Sequence, residues 1–153
     1  MATACALLVA VAAGCGEGDD GADDGLAGRI VVVGAQTAYP FAQAAADQFQ
    51  IEHPDLTIMV DRVPPAAAFD RLCAGAAALV ASPRRISPRE RRECADREAV
   101  TQMRALPSDG AGQPLYAYGG RASGAAEAFE GFVGAHHELI AQAAEGGRRA
   151  LSR

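Results

Sequence analysis

The run Ile30-Val31-Val32-Val33-Gly34 constrains this chain more than any other feature. Four consecutive β-branched residues without polar alternation need cover on both faces, as a strand inside a parallel sheet has. The segments that follow agree. Thr37-Ala38-Tyr39-Pro40 offers a hydroxyl cap and an early proline, which predicts a helix start. Phe41, Ala44, Ala45 and Phe49 give that helix an apolar stripe, and His53-Pro54 ends it. Leu56 to Val60 reads as a second strand, Ala66 to Cys73 as a short helix and Ala77 to Ala81 as a third strand. This order predicts an α/β fold with a mainly parallel sheet flanked by helices.

Beyond Ser82, the pair Ser87-Pro88 supplies the cap and first residue of another helix. Residues 107–113 form a polar loop, Pro114 to Tyr118 reads as a strand, and Ala125 to Ala144 as a long amphipathic helix carrying Phe129, Phe132, Val133, Leu139 and Ile140. The 146–153 segment, with Gly146-Gly147 and three Arg, is expected to fray. With 153 residues there is room for one domain, or one lobe of a two-lobed protein, but not for two full domains. The lobe is placed at 29–145.

Ahead of the lobe, Ala2 to Ala13 is an uncharged apolar run too short to span a bilayer. It closes on Ala12-Ala13-Gly14-Cys15, small residues before a cysteine, as in a lipoprotein signal peptide cleaved before a diacylated Cys15. The expectation is a signal peptide over 1–14 and an exported protein held by lipid to the outer face of the cytoplasmic membrane. Such peptides open with Lys or Arg, whereas here only the α-amino group is positive, which points to a start upstream of Met1. The competing interpretation is a buried apolar segment with an incidental Cys. Residues 15–28 combine Gly with Glu17, Asp19, Asp20, Asp23 and Asp24, which predicts a flexible acidic tether. These carboxylates lack the distal Glu of a calcium loop.

Cysteine usage fits export. Cys5 leaves with the signal peptide, Cys15 takes the lipid, and Cys73 and Cys94 remain, so a disulfide between them is expected, with two free structural thiols as the alternative.

The net charge of −5 resides in the tether, because its five acids, set apart from the total of nineteen, leave as many acids as bases. The folded part is near neutral and has no field for nucleic acid. Every base is Arg. Arg84, Arg85, Arg89, Arg91, Arg92 and Arg97 alternate with Glu90, Glu93, Asp96 and Glu98, the pattern of a salt-bridged surface helix. His136-His137 beside Glu138 would point about 100° apart on a helix, so a solvated face is expected there rather than a metal site. No Ser-His-Asp or Cys-His set, phosphate loop or zinc spacing is present, so neither an enzyme nor a cofactor is expected.

The stretch Ile30 to Cys94 resembles the phosphate-binding proteins of bacterial phosphate ABC transporters, in particular actinobacterial lipoprotein forms. Gly34-Ala35-Gln36-Thr37-Ala38-Tyr39-Pro40 is similar to the family's Gly-Ser-Ser-Thr-x-x-Pro turn, and Phe49-Gln50-Ile51-Glu52-His53-Pro54-Asp55 to its helix end. Phe69-Asp70-Arg71-Leu72-Cys73-Ala74-Gly75, then Ser82-Pro83-Arg84-Arg85-Ile86 and Cys94, carry the most specific likeness. Pro114 to Tyr118 and Phe132-Val133 resemble the returning strand and closing helix. The resemblance implies one lobe of a periplasmic-binding-protein-like fold, with Gln36, Thr37 and Arg84 as ligand-binding residues, phosphate as ligand and an ABC permease as partner.

Two departures qualify that expectation. Between Val100 and Pro114 lies only a short connector where the family's chain crosses into a second lobe, and such proteins bind by closing two lobes. The ligand positions are also depleted. The family's Ser-Gly-Thr-Gly-Gly-Gly loop corresponds to Val63-Pro64-Pro65-Ala66-Ala67-Ala68, its proton-reading Asp to Ala78, and its Ser-Arg-Pro to Pro83-Arg84-Arg85. A dehydrated phosphate needs a dense set of N–H and O–H donors, and leaving it short of them costs several kcal/mol. The expectation is a substrate-binding lipoprotein with weakened or lost phosphate binding. The alternative is a degenerate single-lobe surface protein, either an interaction module or a remnant without ligand.

Overall fold

In the computed structural model the described residues are 26, 28–97, 102–106, 112–120 and 124–151. The expected signal peptide over 1–14, Cys15 and nearly all of the expected acidic tether lie outside them, as does Glu98.

Strand β1 (Gly28–Ala35) carries the β-branched run and occupies an interior position of a five-stranded sheet of order β2-β1-β3-β5-β4. Its Val32 and Val33 point to opposite faces and both are fully buried. Strands β2 (Leu56–Val63) and β3 (Leu79–Ser82) flank it in parallel, with Gly34 opposite Arg62 on one side and Ala81 on the other. Strand β5 (Leu115–Gly119) runs antiparallel to β3, and β4 (Gln102–Leu106) antiparallel to β5. Four strands therefore share one direction and β5 opposes them.

Helices cover both faces. Helix α1 (Tyr39–Glu52) and helix α4 (Gly124–Leu151) pack on one face, where Phe41, Phe49, Phe129, Val133 and Ile140 meet Ile30, Val32, Leu56 and Leu79. The Phe49 ring lies 5.3 Å from that of Phe129, edge-on, and 5.1 Å from that of Phe132. Helix α2 (Pro65–Cys73) and helix α3 (Pro88–Asp96) cover the other face, packing Phe69, Leu72 and Cys94 on Val33, Val80 and Tyr118. A Cys73–Cys94 disulfide ties α2 to α3.

Several local expectations shift. Thr37 does not cap α1, because Gln36 adopts a left-handed φ of 49° and opens a 3-10 turn, Gln36–Ala38, that moves the cap position to Ala38. Pro40 still falls in the first turn. The third strand starts at Leu79, two residues later than expected, and the preceding Ala78 N–H is bonded to Val31 O at 2.8 Å. Strand β4 falls within what the sequence presents as a connector. Helix α4 runs through Gly146 and Gly147 to Leu151, where fraying is expected, with Glu145 and Arg149 one turn apart and 3.9 Å from each other. It kinks at His136 (φ −116°, ψ 15°), where the His136 and His137 rings reach back to the carbonyls of Phe132 and Gly134.

Candidate functional site

Because β1, β2 and β3 point the same way, their C-terminal ends release the chain at one edge of the sheet, where α1, α2 and α3 begin. Open α/β sheets bind ligands at this edge, since helix N-termini there present free N–H groups and positive dipole ends. The three expected ligand residues reach it from two neighbouring turns. Gln36 and Thr37 follow β1, both exposed, and Arg84 follows β3. No hydrogen bond joins Arg84 to either of them among the described residues.

Each turn is poor in donors for its own reason. At α1 the 3-10 turn intervenes, and no side chain caps the helix. At α2 the cap position is Pro64 and the first helical residue Pro65, neither of which has an N–H, while Ala68 N–H is bonded to Pro64 O at 3.0 Å. At α3 the end is closed on itself. Ser87 Oγ accepts from Glu90 N–H at 3.3 Å, and Glu90 Oε2 accepts from Ser87 N–H at 2.8 Å, a complete capping box.

Glu90 also takes the cation expected to meet a ligand. Arg84 Nη1 and Nη2 donate to Glu90 Oε2 and Oε1 at 2.9 and 2.6 Å, and Nη1 donates to Arg85 O at 2.9 Å. The guanidinium lies 4.9 Å from the centroid of the Phe69 ring. The hydrogen bonds from Arg84, followed by those from Ser87, outweigh burial and hold the Glu90 carboxyl down at about 2. Arg84 is thus a neutralised strut. The turn beneath it is equally committed. Buried Ser82 Oγ accepts from Arg84 N–H at 3.2 Å, and Ile86 N–H donates to the buried Tyr118 hydroxyl at 2.8 Å.

Two further guanidiniums flank this edge, and among the described residues neither pairs with a carboxylate: Arg62 stands 4.3 Å over Tyr39, and Arg85 stands 5.3 Å from the Tyr116 centroid. Neither Arg62 nor the second role of Glu90 stands out in the sequence. The spacing Ser87-x-x-Glu90 is the signal that would have revealed the latter.

The model of a PBP superfamily domain matches residues 20–108. The chain belongs to the PBP superfamily. Among solved structures, this PBP superfamily member is similar to a protein from Planctomyces limnophilus described as a possible phosphate binding protein, with 25% identity and a TM-score of 0.53, over 56% of this chain and 30% of that one. It also matches an ABC-type phosphate transport receptor from Vibrio cholerae (18% identity, TM-score 0.42, 55% of this chain and 34% of that one). A third match is PstS from Borrelia burgdorferi (11% identity, TM-score 0.40, 54% and 33%). The chain spans about a third of the length of each of these structures. Among curated proteins none matches its sequence significantly. Among the described residues no helix is long and apolar enough to cross a membrane, and no three His, Cys, Asp or Glu side chains group as a metal site would require.

Proposed function

We infer that the chain is a single binding-protein lobe of an extracytoplasmic lipoprotein related to phosphate transport, anchored through Cys15, and that its own affinity for phosphate is weak or lost. Membership of the PBP superfamily and the similarity to the Planctomyces limnophilus protein support a binding rather than a catalytic role. An ABC permease is the partner that such a role implies.

The observation that carries the weak-binding reading is the double engagement of Glu90 by Arg84 and by the α3 N-terminus. A phosphate arriving at this edge would have to displace a two-point carboxylate from the guanidinium, and would find no N–H at Pro64 or Pro65 in return. Only Thr37 and Gln36, with the flanking Arg62 and Arg85, remain to hold it.

Calorimetric titration of inorganic phosphate into the chain tests this reading. No saturable binding tighter than the millimolar range is expected. Micromolar affinity would overturn it. Palmitate labelling that disappears in Cys15→Ala tests the anchor separately.

A further inference from the structure

A second cleft lies at the opposite end of the sheet from Gln36, Thr37 and Arg84. It opens between the first half of α4 and the β4–β5 pair, near the start of β3 and the end of β5, where Leu79 stands opposite Gly119. Its volume is about 650 Å³, within the range of small-molecule sites. The floor is apolar or bare, formed by Leu79, Ala117, Val133 and Gly119.

Charge is arranged in two poles along the α4 wall. At one pole stand Glu127 and Glu130. The Glu130 carboxyl is seated against Gly119, where a Cβ would collide with it, and its Oε1 is buried without a hydrogen-bond partner among the described residues. At the other pole the Arg104 guanidinium, reaching from β4, lies over Gly134. Gly134 is one helical turn beyond Glu130, about 6 Å along the axis. No ion pair joins Arg104 to either glutamate among the described residues. A buried acceptor with no donor is costly, and a ligand that supplies the donor removes that cost.

We propose that this cleft is a binding site for a small zwitterion, with its ammonium group on Glu130 and Glu127 and its anionic group on Arg104. Burial first, and the neighbouring Glu127 charge second, raise the Glu130 carboxyl above its ordinary range. Among the described residues the charged groups lining the cleft beside Glu130 are Glu127 on α4 and Arg104 on β4; β3 and β5 contribute none. An arriving ammonium group favours the ionised carboxylate, so binding tightens as pH rises through the carboxyl range.

Three four-carbon probes decide the matter when titrated into the full chain by calorimetry: 4-aminobutyrate, butylamine and butyrate. The expected result is saturable binding of 4-aminobutyrate, tighter than either single-ended analogue, with a loss of about tenfold in Glu130→Gln, the scale of one charge-assisted hydrogen bond. Glu127→Gln alters an exposed side chain, leaves the core untouched, and is expected to lose about threefold. Absence of saturable 4-aminobutyrate binding at millimolar concentration overturns the proposal. So does equal binding of butyrate or butylamine, or unchanged affinity in folded Glu130→Gln and Glu127→Gln. Phosphate does not enter this test, so its outcome is independent of the function proposed above.

Discussion

Arg84 and Glu90, six residues apart, meet in a two-point ion pair of 2.9 and 2.6 Å that spans the β3–α3 turn, and the same carboxylate closes the capping box of α3. Glu90 thus provides at one position the two things an anionic ligand would otherwise bring to this edge: charge for the guanidinium and acceptors for the helix end. The side chain of Glu90 is 13% exposed against 39% for Arg84, so the pair stands half out of solvent and contributes more than a free surface bridge. A built-in carboxylate on both the guanidinium and the helix end is the physical reason to expect a stable turn and, on the function proposed above, weak phosphate binding.

Acid stability follows from this pair. The Glu90 carboxyl sits at about 2 in the folded chain, below its ordinary value of 4.5, so its contribution is complete above about 4.5 and is lost as pH falls toward 2. Glu90→Gln is expected to cost about 1–2 kcal/mol at neutral pH and to flatten the stability profile between those two values. Urea unfolding at a series of pH values measures both effects. An unchanged acid limb in the variant would refute the assignment.

The Cys73–Cys94 bond joins α2 to α3 across a sequence separation of 21, with Cα atoms 4.3 Å apart. Helix α3 has Cys94 as its only buried residue, so it has little apolar surface of its own with which to stay docked. Reduction, or replacement of both cysteines by Ser, is expected to cost about 3 kcal/mol by loop-entropy reasoning. In hydrogen exchange, α3 amides should lose protection before those of β1. Denaturant titration with and without reductant supplies the number.

Much of the sheet was legible because local chemistry and burial coincide there. Ile30 to Val33 needed cover on both faces and has it, and Ser87-Pro88 marked a helix start that the structure retains. Strand β4 was not legible. Gln102-Met103-Arg104-Ala105 alternates polar and apolar residues for only four positions, and only Leu106 is buried among the strand's described side chains, so its extended form comes from pairing with β5 and not from propensity. The Thr37 cap failed because a left-handed Gln36 is set by the geometry of the β1–α1 turn, which sequence pattern does not report. Of the candidate site, the depleted donors were readable from Pro64 and Pro65. The capture of Arg84 by Glu90 required the turn between them to fold.

Two substitutions in the β1–α1 turn are expected to act in opposite directions. A Cβ at Gly34 would run into the Tyr39 backbone, which cannot move without α1, so Gly34→Ala should cost about 2–3 kcal/mol. Gln36 holds a φ of 49° that side chains other than Gly adopt with strain, so Gln36→Gly should stabilise by about 0.5–1 kcal/mol. Thermal melts of the two variants beside the parent check the signs. A stabilised Gly34→Ala would mean that the turn is not packed as described.

The Tyr118 hydroxyl offers the most local test of the β3–α3 turn. Burial raises its ionisation above the ordinary phenol value, and the hydroxyl accepts the Ile86 N–H at 2.8 Å while the ring stands edge-on to Phe69 at 5.1 Å. Tyr118→Phe keeps the ring packing and removes only the acceptor, which leaves a buried N–H unpaired. The expected cost is about 1–3 kcal/mol. Because the loss falls next to Arg84, Ile86 amide exchange should accelerate well beyond what the global change in stability accounts for. An equal acceleration across all strands would instead assign Tyr118 to general packing, and would separate the turn's rigidity from its hydrogen bond.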